Sequence, residues 1–419
     1  MHNESSTLPD LTWMAHLVRK GGKEDRPGVV IPTVANALIL IAHDDHLANL
    51  MAYNKFTETS LIMHAPPIAG PGEPPLPGPY PRAWQHEDIT AVLSYMQRLW
   101  NTEFSARTVE SAMGHEAMTR PFHPVVQWLD GLQWDGKNRL FRWLITAFGA
   151  DNSEYVKAVG SKTLIAAVRR VRQPGCKFDT MLILEGPQGI KKSTALQSLF
   201  SPEWFSDATV PDLGTKDAAM CLHGAWCLEF AEIAQLMHSE VETIKGFLSR
   251  AVDRYRPPYS KNTVEKPRQG ILIGTTNEQG FLRDASGNRR FWPVECVMAD
   301  VTWIEANREQ LWAEACHYEA QGETVWLDDV IIERAAIREQ ADRVATDPWD
   351  DKVADYIAGK EGDGVKIQDI MEDALFIGTA IQDMRAYRRV ASILRRLGWE
   401  KRNPMNGGDR KKIWLPQIG

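Results

Sequence analysis

Leu182 to Leu199 reads Leu-Ile-Leu-Glu-Gly-Pro-Gln-Gly-Ile-Lys-Lys-Ser-Thr-Ala-Leu-Gln-Ser-Leu, and no other stretch limits the fold so closely. An apolar run ends at a glycine-rich turn, and a helix-compatible segment begins after Lys192-Ser193-Thr194. That order, strand then loop then helix, is the setting in which a phosphate-binding loop works. The backbone amides of the loop and of the helix start wrap phosphates, a lysine neutralises the outer ones, and the next hydroxyl reaches Mg²⁺. Gly186, Pro187, Gln188, Gly189, Ile190, Lys191, Lys192, Ser193 and Thr194 are therefore the candidate nucleotide-binding residues, with Ser193 also a metal ligand. Against the pattern G-x-x-x-x-G-K-[ST], Lys191 stands where the second glycine belongs. Gly189, two residues earlier, is expected to supply the backbone freedom instead.

A chain of 419 residues exceeds one ordinary core, so two or three domains are expected. No apolar stretch approaches the length of a membrane span, and Met1-His2-Asn3-Glu4 lacks a signal-peptide pattern. Five cysteines form no C-x-x-C pair, which fits reduced thiols in a cytoplasmic protein and disfavours a zinc site. The net charge of −7 does not mark a chain coated for nucleic acid, but its distribution does. Between Arg385 and Lys412, ten Lys and Arg stand against Glu400 and Asp409.

Residues 1–28 read as a flexible N-terminus and 29–124 as a mainly helical N-terminal domain. The latter is interrupted at 66–81 by eight prolines and three glycines, a stiff connector or an extended loop. A Trp- and Leu-rich helical block leads into the nucleotide domain, 125–343, and carries a basic turn at Arg169-Arg170-Val171-Arg172. Strand-like runs at Ala225–Ala231, Gly270–Thr275 and Phe291–Val294, alternating with helices, imply a mostly parallel sheet covered on both faces. Asp347-Pro348 marks a boundary before a module at 347–419.

Trp226-Cys227-Leu228-Glu229-Phe230-Ala231-Glu232 reads as a buried strand ending in acid, which an ATPase needs to hold Mg²⁺ and polarise the attacking water. Glu232, at the strand end, is expected to be the main acid and metal ligand, with Glu229 as its metal or water partner. A third apolar strand ends in Asn277, placed to orient the lytic water. Arg289 and Arg290 precede another apolar run and suit an arginine donated across a subunit interface to the transferring phosphoryl group. Between the acid and Asn277 strands lies a basic, aromatic, proline-containing loop, where ring ATPases place a hairpin facing the channel. Arg254, Arg256 and Lys261 are candidates to track phosphates there, and Tyr255 or Tyr259 to stack on bases.

From Glu185 to Pro293 the chain resembles the virulence-associated protein E family of P-loop ATPases, relatives of D5-type primase-helicases and superfamily 3 helicases of phages and satellites. The resemblance rests on Asp179–Gly189, Gly214–Ala218, Glu229–Glu232, Phe247–Arg250, Asp253–Tyr259, Gly274–Glu278 and Gly287–Val294. Phe122–Val125 and Leu132–Gly136 extend it upstream. It implies an α/β core like that of AAA+ and superfamily 3 proteins, ATP and Mg²⁺ as cofactors, a hexameric ring, and DNA replication of a mobile element. A primase or another replication protein is the implied partner. The N-terminal residues carry no primase-type carboxylate motif, so priming is not expected of them.

The C-terminal module supports DNA binding independently. Thr379 can cap a helix whose Ile381, Met384, Ala391 and Leu394 share a face, with Val390 and Leu397 beside them. Arg385, Arg388, Arg389, Arg395 and Arg396 fall largely elsewhere on that helix. Trp399–Arg402, a turn at Asn406-Gly407-Gly408, and Arg410–Leu415 with Lys411 and Lys412 then read as two strands about a basic turn. Three helices followed by such a hairpin make a winged helix with a duplex-backbone footprint. The expected protein is thus a ring-forming, DNA-dependent ATPase and helicase, gripping single-stranded DNA in its channel and duplex at the winged helix. The alternative is a nucleotide-gated DNA-binding scaffold or helicase loader with weak turnover. A kinase fits less well, because no lid signature accompanies the loop.

Overall fold

The computed structural model describes residues 11–23, 28–68, 70, 72–208, 213, 215–256, 262–282, 288–344, 347–360, 362, 364–378, 383–402, 405–406, 409–410 and 413–416. The chain divides into two compact units, Met1–Gly131 and Leu132–Gly419.

In the first unit a short pair, β1 (Arg19–Lys20) and β2 (Val29–Val30), precedes α1 (Val34–His43), whose N-cap Thr33 accepts from the Asn36 amide. Next come β3 (Met51–Asn54), β4 (Thr59–Ile62), β5 (Arg82–Ala83), α2 (His86–Trp100), α3 (Ala106–Thr119), β6 (Pro121–Phe122) and α4 (Pro124–Asp130). α1, α2 and α3 fit the helical expectation for this region. The four-stranded sheet β5-β4-β3-β6 was not expected in a mainly helical region. Its central strands are only four residues long, too short to show a period of two. The hairpin between them is closed by Asn54, whose side chain accepts from the Phe56 and Thr57 amides. The proline-rich stretch is an extended loop that lies against α2, with Tyr80 packed on the unit's core of Leu40, Ile41, Val92, Met96 and Met113.

The second unit begins with α5 (Trp143–Phe148) and the largely buried α6 (Glu154–Arg172). The arginine-rich run at 169–172 is the last turn of α6, and Arg170 there is structural. It donates to the carbonyls of Gly270 and Phe178, and burial lowers its pKa to about 10. There follow β7 (Met181–Glu185), α7 (Lys192–Phe200), β8 (Phe205–Ser206), α8 (Lys216–Cys221), β9 (Cys227–Phe230), α9 (Ile233–Leu248), β10 (Val252–Tyr255) and β11 (Val264–Pro267). β12 (Ile271–Thr276), β13 (Phe291–Glu295), α10 (Val301–Ala320) and α11 (Val330–Asp342) complete the core.

Five strands form one parallel sheet in the order β13-β7-β12-β9-β8, buried on both faces as a helix-covered sheet requires. Chain order and spatial order disagree most around β7, whose successors lie to one side of it and β13 to the other. A crevice beyond the strands' carboxyl ends at that point is where ligands bind in open α/β sheets. An aromatic stack seats α10 on the sheet: Trp226 and Trp312 have ring centroids 4.1 Å apart, with Phe200 against both. Both indole N–H groups are satisfied, Trp226 by the Ala167 carbonyl and Trp312 by that of Leu199.

At the C-terminal end α12 (Asp350–Ile357), α13 (Ile367–Asp369, continued by a π-helical turn at Ile370–Ala374) and α14 (Met384–Arg396) precede β14 (Trp399–Arg402). β15 (Met405–Asn406) pairs with β16 (Asp409–Arg410), and β17 (Ile413–Pro416) runs antiparallel to β14. Val353, Ile370, Val390, Leu394, Trp399 and Trp414 form the core of these elements. α14 is capped by Asp383, which accepts from the Ala386 amide; Thr379 and Ile381 lie outside the described residues. Its buried face is Val390, Ala391, Ile393 and Leu394, whereas Met384 and Leu397 are exposed.

Candidate nucleotide site and nucleic-acid interface

Every residue of β7 is buried, and the strand delivers the chain into the turn Gly186–Lys191 at the carboxyl edge of the sheet. The Gly186 amide donates to the carbonyl of Thr276, the last residue of β12, which anchors the turn to the neighbouring strand. A Cβ on Gly186 would lie 2.1 Å from the Cys296 carbonyl oxygen, so only glycine fits there. Two positions take left-handed backbone, Gly189 at φ +83° and Lys191 at φ +68°. Gly189 does take left-handed backbone, yet so does Lys191, the N-cap of α7, in a conformation that glycine would take more cheaply.

Lys192 curls back into the turn, and its ammonium donates to the carbonyls of Gly186 (2.7 Å) and Pro187 (3.0 Å). Burial lowers its pKa, opposed by Cys296, Glu232 and Glu229. Ser193 Oγ donates to Glu229 Oε1 at 2.7 Å, and Thr275 Oγ1 donates to the same oxygen at 2.6 Å. Glu229 itself is 1% exposed, and its Oε2 is buried with no hydrogen-bond partner among the described residues. Burial pushes its pKa above the usual carboxylate value, against the two hydroxyl donors. A buried carboxylate with one oxygen unpartnered and the other bonded to a serine hydroxyl suits a divalent cation or a water held by one.

The carboxylate joined to Ser193 is therefore Glu229, where strand-end position favoured Glu232. The reason is local: β9 stops at Phe230, and Glu232 sits exposed with φ +50° at the start of α9. Glu232 is still close enough to act on the charge of Lys192. Asn277 follows the end of β12 and is exposed beside the loop's anchor point. Pro187, Gln188, Ile190 and Thr194 lie in the turn and first helical turn as expected.

Arg289 and Arg290 are elsewhere. Phe291 pairs in register with Met181, so the two arginines precede the amino end of the sheet, a strand's length of roughly 15 Å from the phosphate loop. They cannot serve the loop of their own chain from there. Arg290 Nε stands 3.9 Å from Asp179.

The loop between the acid and Asn277 strands is the hairpin β10–β11. Its base is fastened by a buried bidentate pair, Arg268 to Asp253 at 2.7 and 2.8 Å, with Arg268 also donating to the Phe247 carbonyl and lying over the Phe247 ring. Arg254 is exposed, 3.8 Å from Glu265, and Arg256 is exposed at the hairpin's edge. Tyr259 and Lys261 lie outside the described residues. In the C-terminal module Arg388 and Arg395 are exposed on α14. Arg389 instead donates both nitrogens to Asp347 at 2.7 Å and lies 3.8 Å from the Trp349 ring, which ties α14 to the start of α12. The side chains of Arg385, Arg396 and Arg410 are not described, and Lys411 and Lys412 lie outside the described residues.

Three contributors were given no individual role from the sequence. Thr275 is the second donor to Glu229; a hydroxyl in an apolar strand two residues before Asn277 was the available signal. Arg343, after α11, pairs with Glu185 at the root of the phosphate loop and with Glu339, over 150 residues apart from Glu185 and so without a local signal. Asp253 with Arg268 is the third. Among the described residues no helix is long and apolar enough to cross a membrane.

No curated protein matches the chain. Among solved structures, an apo structure of the NrS-1 C-terminal region (305–718) aligns with 88% of this chain and 96% of that one, at 12% identity and a TM-score of 0.46. An A-form apo structure of the same region aligns with 87% and 95%, at 11% identity and 0.44. The family model of the virulence-associated protein E-like domain matches residues 129–345, more than half of the chain and the whole of the loop, acid and arginine segments. The chain belongs to the virulence-associated protein E-like domain family.

Proposed function

We propose that this chain is a ring-forming, DNA-dependent ATPase, the replicative helicase of a phage or mobile genetic element, which couples ATP hydrolysis to movement on DNA. The observation that carries the reading is the contact of Ser193 and Thr275 with the buried Glu229, beside a lysine folded into a glycine-anchored turn. In the working state the Lys192 ammonium exchanges its two carbonyl acceptors for the outer phosphates of ATP. Ser193 and Glu229 are the residues that would hold Mg²⁺, which when bound neutralises phosphate charge and orients the transferring group. A cation beside Glu229 favours its ionised form, ready to polarise water, and Asn277 orients that water. Glu232 lends further negative charge near Lys192. Arg289 and Arg290 of a second copy stabilise the charge of the transfer, which matches their distance from their own loop. The C-terminal module acts as a winged helix on duplex through Arg388 and Arg395, and the β10–β11 hairpin meets single-stranded DNA in the channel of a hexamer.

Lys191 favours a second reading, a nucleotide-gated scaffold or helicase loader with weak turnover, because left-handed backbone at a lysine holds the loop at a cost. The test is steady-state ATP hydrolysis with and without single-stranded DNA. Wild type should turn over ATP faster with DNA, and Lys192→Ala should lose both hydrolysis and tight nucleotide binding. Tight binding with negligible turnover in wild type, raised by Lys191→Gly, would select the scaffold. Unchanged hydrolysis in Lys192→Ala would remove the loop from both readings.

A further inference from the structure

A cavity of about 490 Å³ opens at the amino end of the sheet, on the side away from the phosphate loop. Lys177, Thr180, Arg289 and Arg290 line one part of it, and Trp326 and Ile337 another. Its size is that of an ordinary small-ligand site. Two acids also face it, Asp179 and Glu333, so its three cations exceed its anions by one.

Two features separate it from a surface dent. Thr180 Oγ1 and Arg290 Nε are buried and have no hydrogen-bond partner among the described residues; Arg290 Nε has Asp179 at 3.9 Å, an ion pair too long for a hydrogen bond, so both groups can still take an acceptor. Trp326 meanwhile is 57% exposed, its carbonyl 3.3 Å from Thr324 Oγ1 and the segment before it tied to α6. Lys162 binds Thr324 Oγ1 at 2.6 Å and Glu323 at 3.1 Å, Arg169 donates to the Glu323 carbonyl, and Thr324 Oγ1 donates to Asp328. A large aromatic ring kept at the mouth of a cationic cavity costs apolar exposure and suits a planar ring laid against it.

We propose that this cavity is a second nucleotide-recognition site, which receives phosphate on Arg289, Arg290 and Lys177 and stacks the base on Trp326. A phosphate oxygen is the acceptor that Thr180 Oγ1 and Arg290 Nε lack. Free nucleotide and nucleotide seated in the phosphate loop of a second copy present the same chemistry; for the latter source the inference rests on the loop reading above.

The test uses the full chain with Mg²⁺ and a slowly hydrolysed ATP analogue, comparing nucleotide bound per chain by equilibrium dialysis with mass by sedimentation velocity. If free nucleotide fills the cavity, wild type binds more than one per chain, and Lys192→Ala retains a fraction that Trp326→Ala removes. If the second copy supplies it, nucleotide raises the mass of wild type. Trp326→Ala then weakens that association by roughly tenfold or more, and Trp326→Phe restores it. Trp326→Ala and Thr180→Val matching wild type in both measurements overturns the proposal. So does loss of affinity for a single-stranded oligonucleotide with nucleotide binding and assembly intact, which makes the cavity a nucleic-acid site. Failure of the loop reading shows separately, as unchanged nucleotide binding in Lys192→Ala.

Discussion

At the scale of single residues, Glu229 is a carboxylate placed where its own charge is costly. Burial raises its pKa more than the Thr275 and Ser193 hydroxyls lower it. A group whose folded pKa lies above its unfolded one contributes stability that is fully present below the unfolded value. That stability is lost as pH rises through the folded value. Glu229→Gln, which cannot ionise, should therefore raise the thermal midpoint of the nucleotide-free chain at neutral pH, by about 2–4 °C for each kcal/mol relieved. The difference should shrink as pH falls toward the ordinary carboxylate range, while turnover is lost at every pH. Equal midpoints for mutant and wild type across that range would mean that Glu229 carries no such strain. The sequence located both acids and gave the main role to Glu232, whereas Ser193 bonds Glu229. Position along a strand shows which residues alternate in facing, yet not where the strand stops, and β9 stops two residues before Glu232. The loop itself was legible down to Ser193, because glycine, lysine and hydroxyl at fixed spacing leave few alternatives.

At the scale of elements, the hairpin and the C-terminal module each hold one arginine in a bidentate pair and leave others exposed. The buried Arg268–Asp253 pair holds the base of β10–β11, so Arg268→Ala leaves a buried carboxylate unpaired and should cost about 3–5 kcal/mol in denaturant unfolding. A cost below about 1 kcal/mol would show that the hairpin does not depend on it. In the module, Arg388→Ala and Arg395→Ala should each lower duplex affinity and reduce the slope of log K against log salt by about 0.9. Arg389→Ala should instead loosen the packing of α14 on α12 and leave that slope nearly unchanged, since its charge is already taken up by Asp347. An equal slope change for all three would erase the distinction. Long amphipathic elements were the legible ones: α2 and α14 follow apolar periodicity, whereas α10 buries Glu314 and Glu319 and shows none. The N-terminal sheet was not legible, because two- and four-residue strands carry no period and are joined by turn geometry and packing.

At the scale of the whole molecule, the parallel sheet has chemistry at both ends. Lys192, Ser193, Glu229 and Thr275 meet at the carboxyl edge, and Arg289 and Arg290 wait at the amino edge. Sequence order suggested that these arginines serve a neighbour; the register of Phe291 opposite Met181 places them a strand's length from their own phosphate loop. On the proposed reading such a site is complete only when two copies meet head to tail, an interface that closes into a ring or runs on as a filament. The direct measurement is ATP hydrolysis by three samples: Lys192→Ala alone, the Arg289→Ala, Arg290→Ala double mutant alone, and their equimolar mixture. Each parent should be nearly inactive. The mixture should regain activity at up to about one interface in four, where an intact loop meets intact arginines. A double mutant that hydrolyses ATP at the wild-type rate, or a mixture no more active than its parents, would contradict the account.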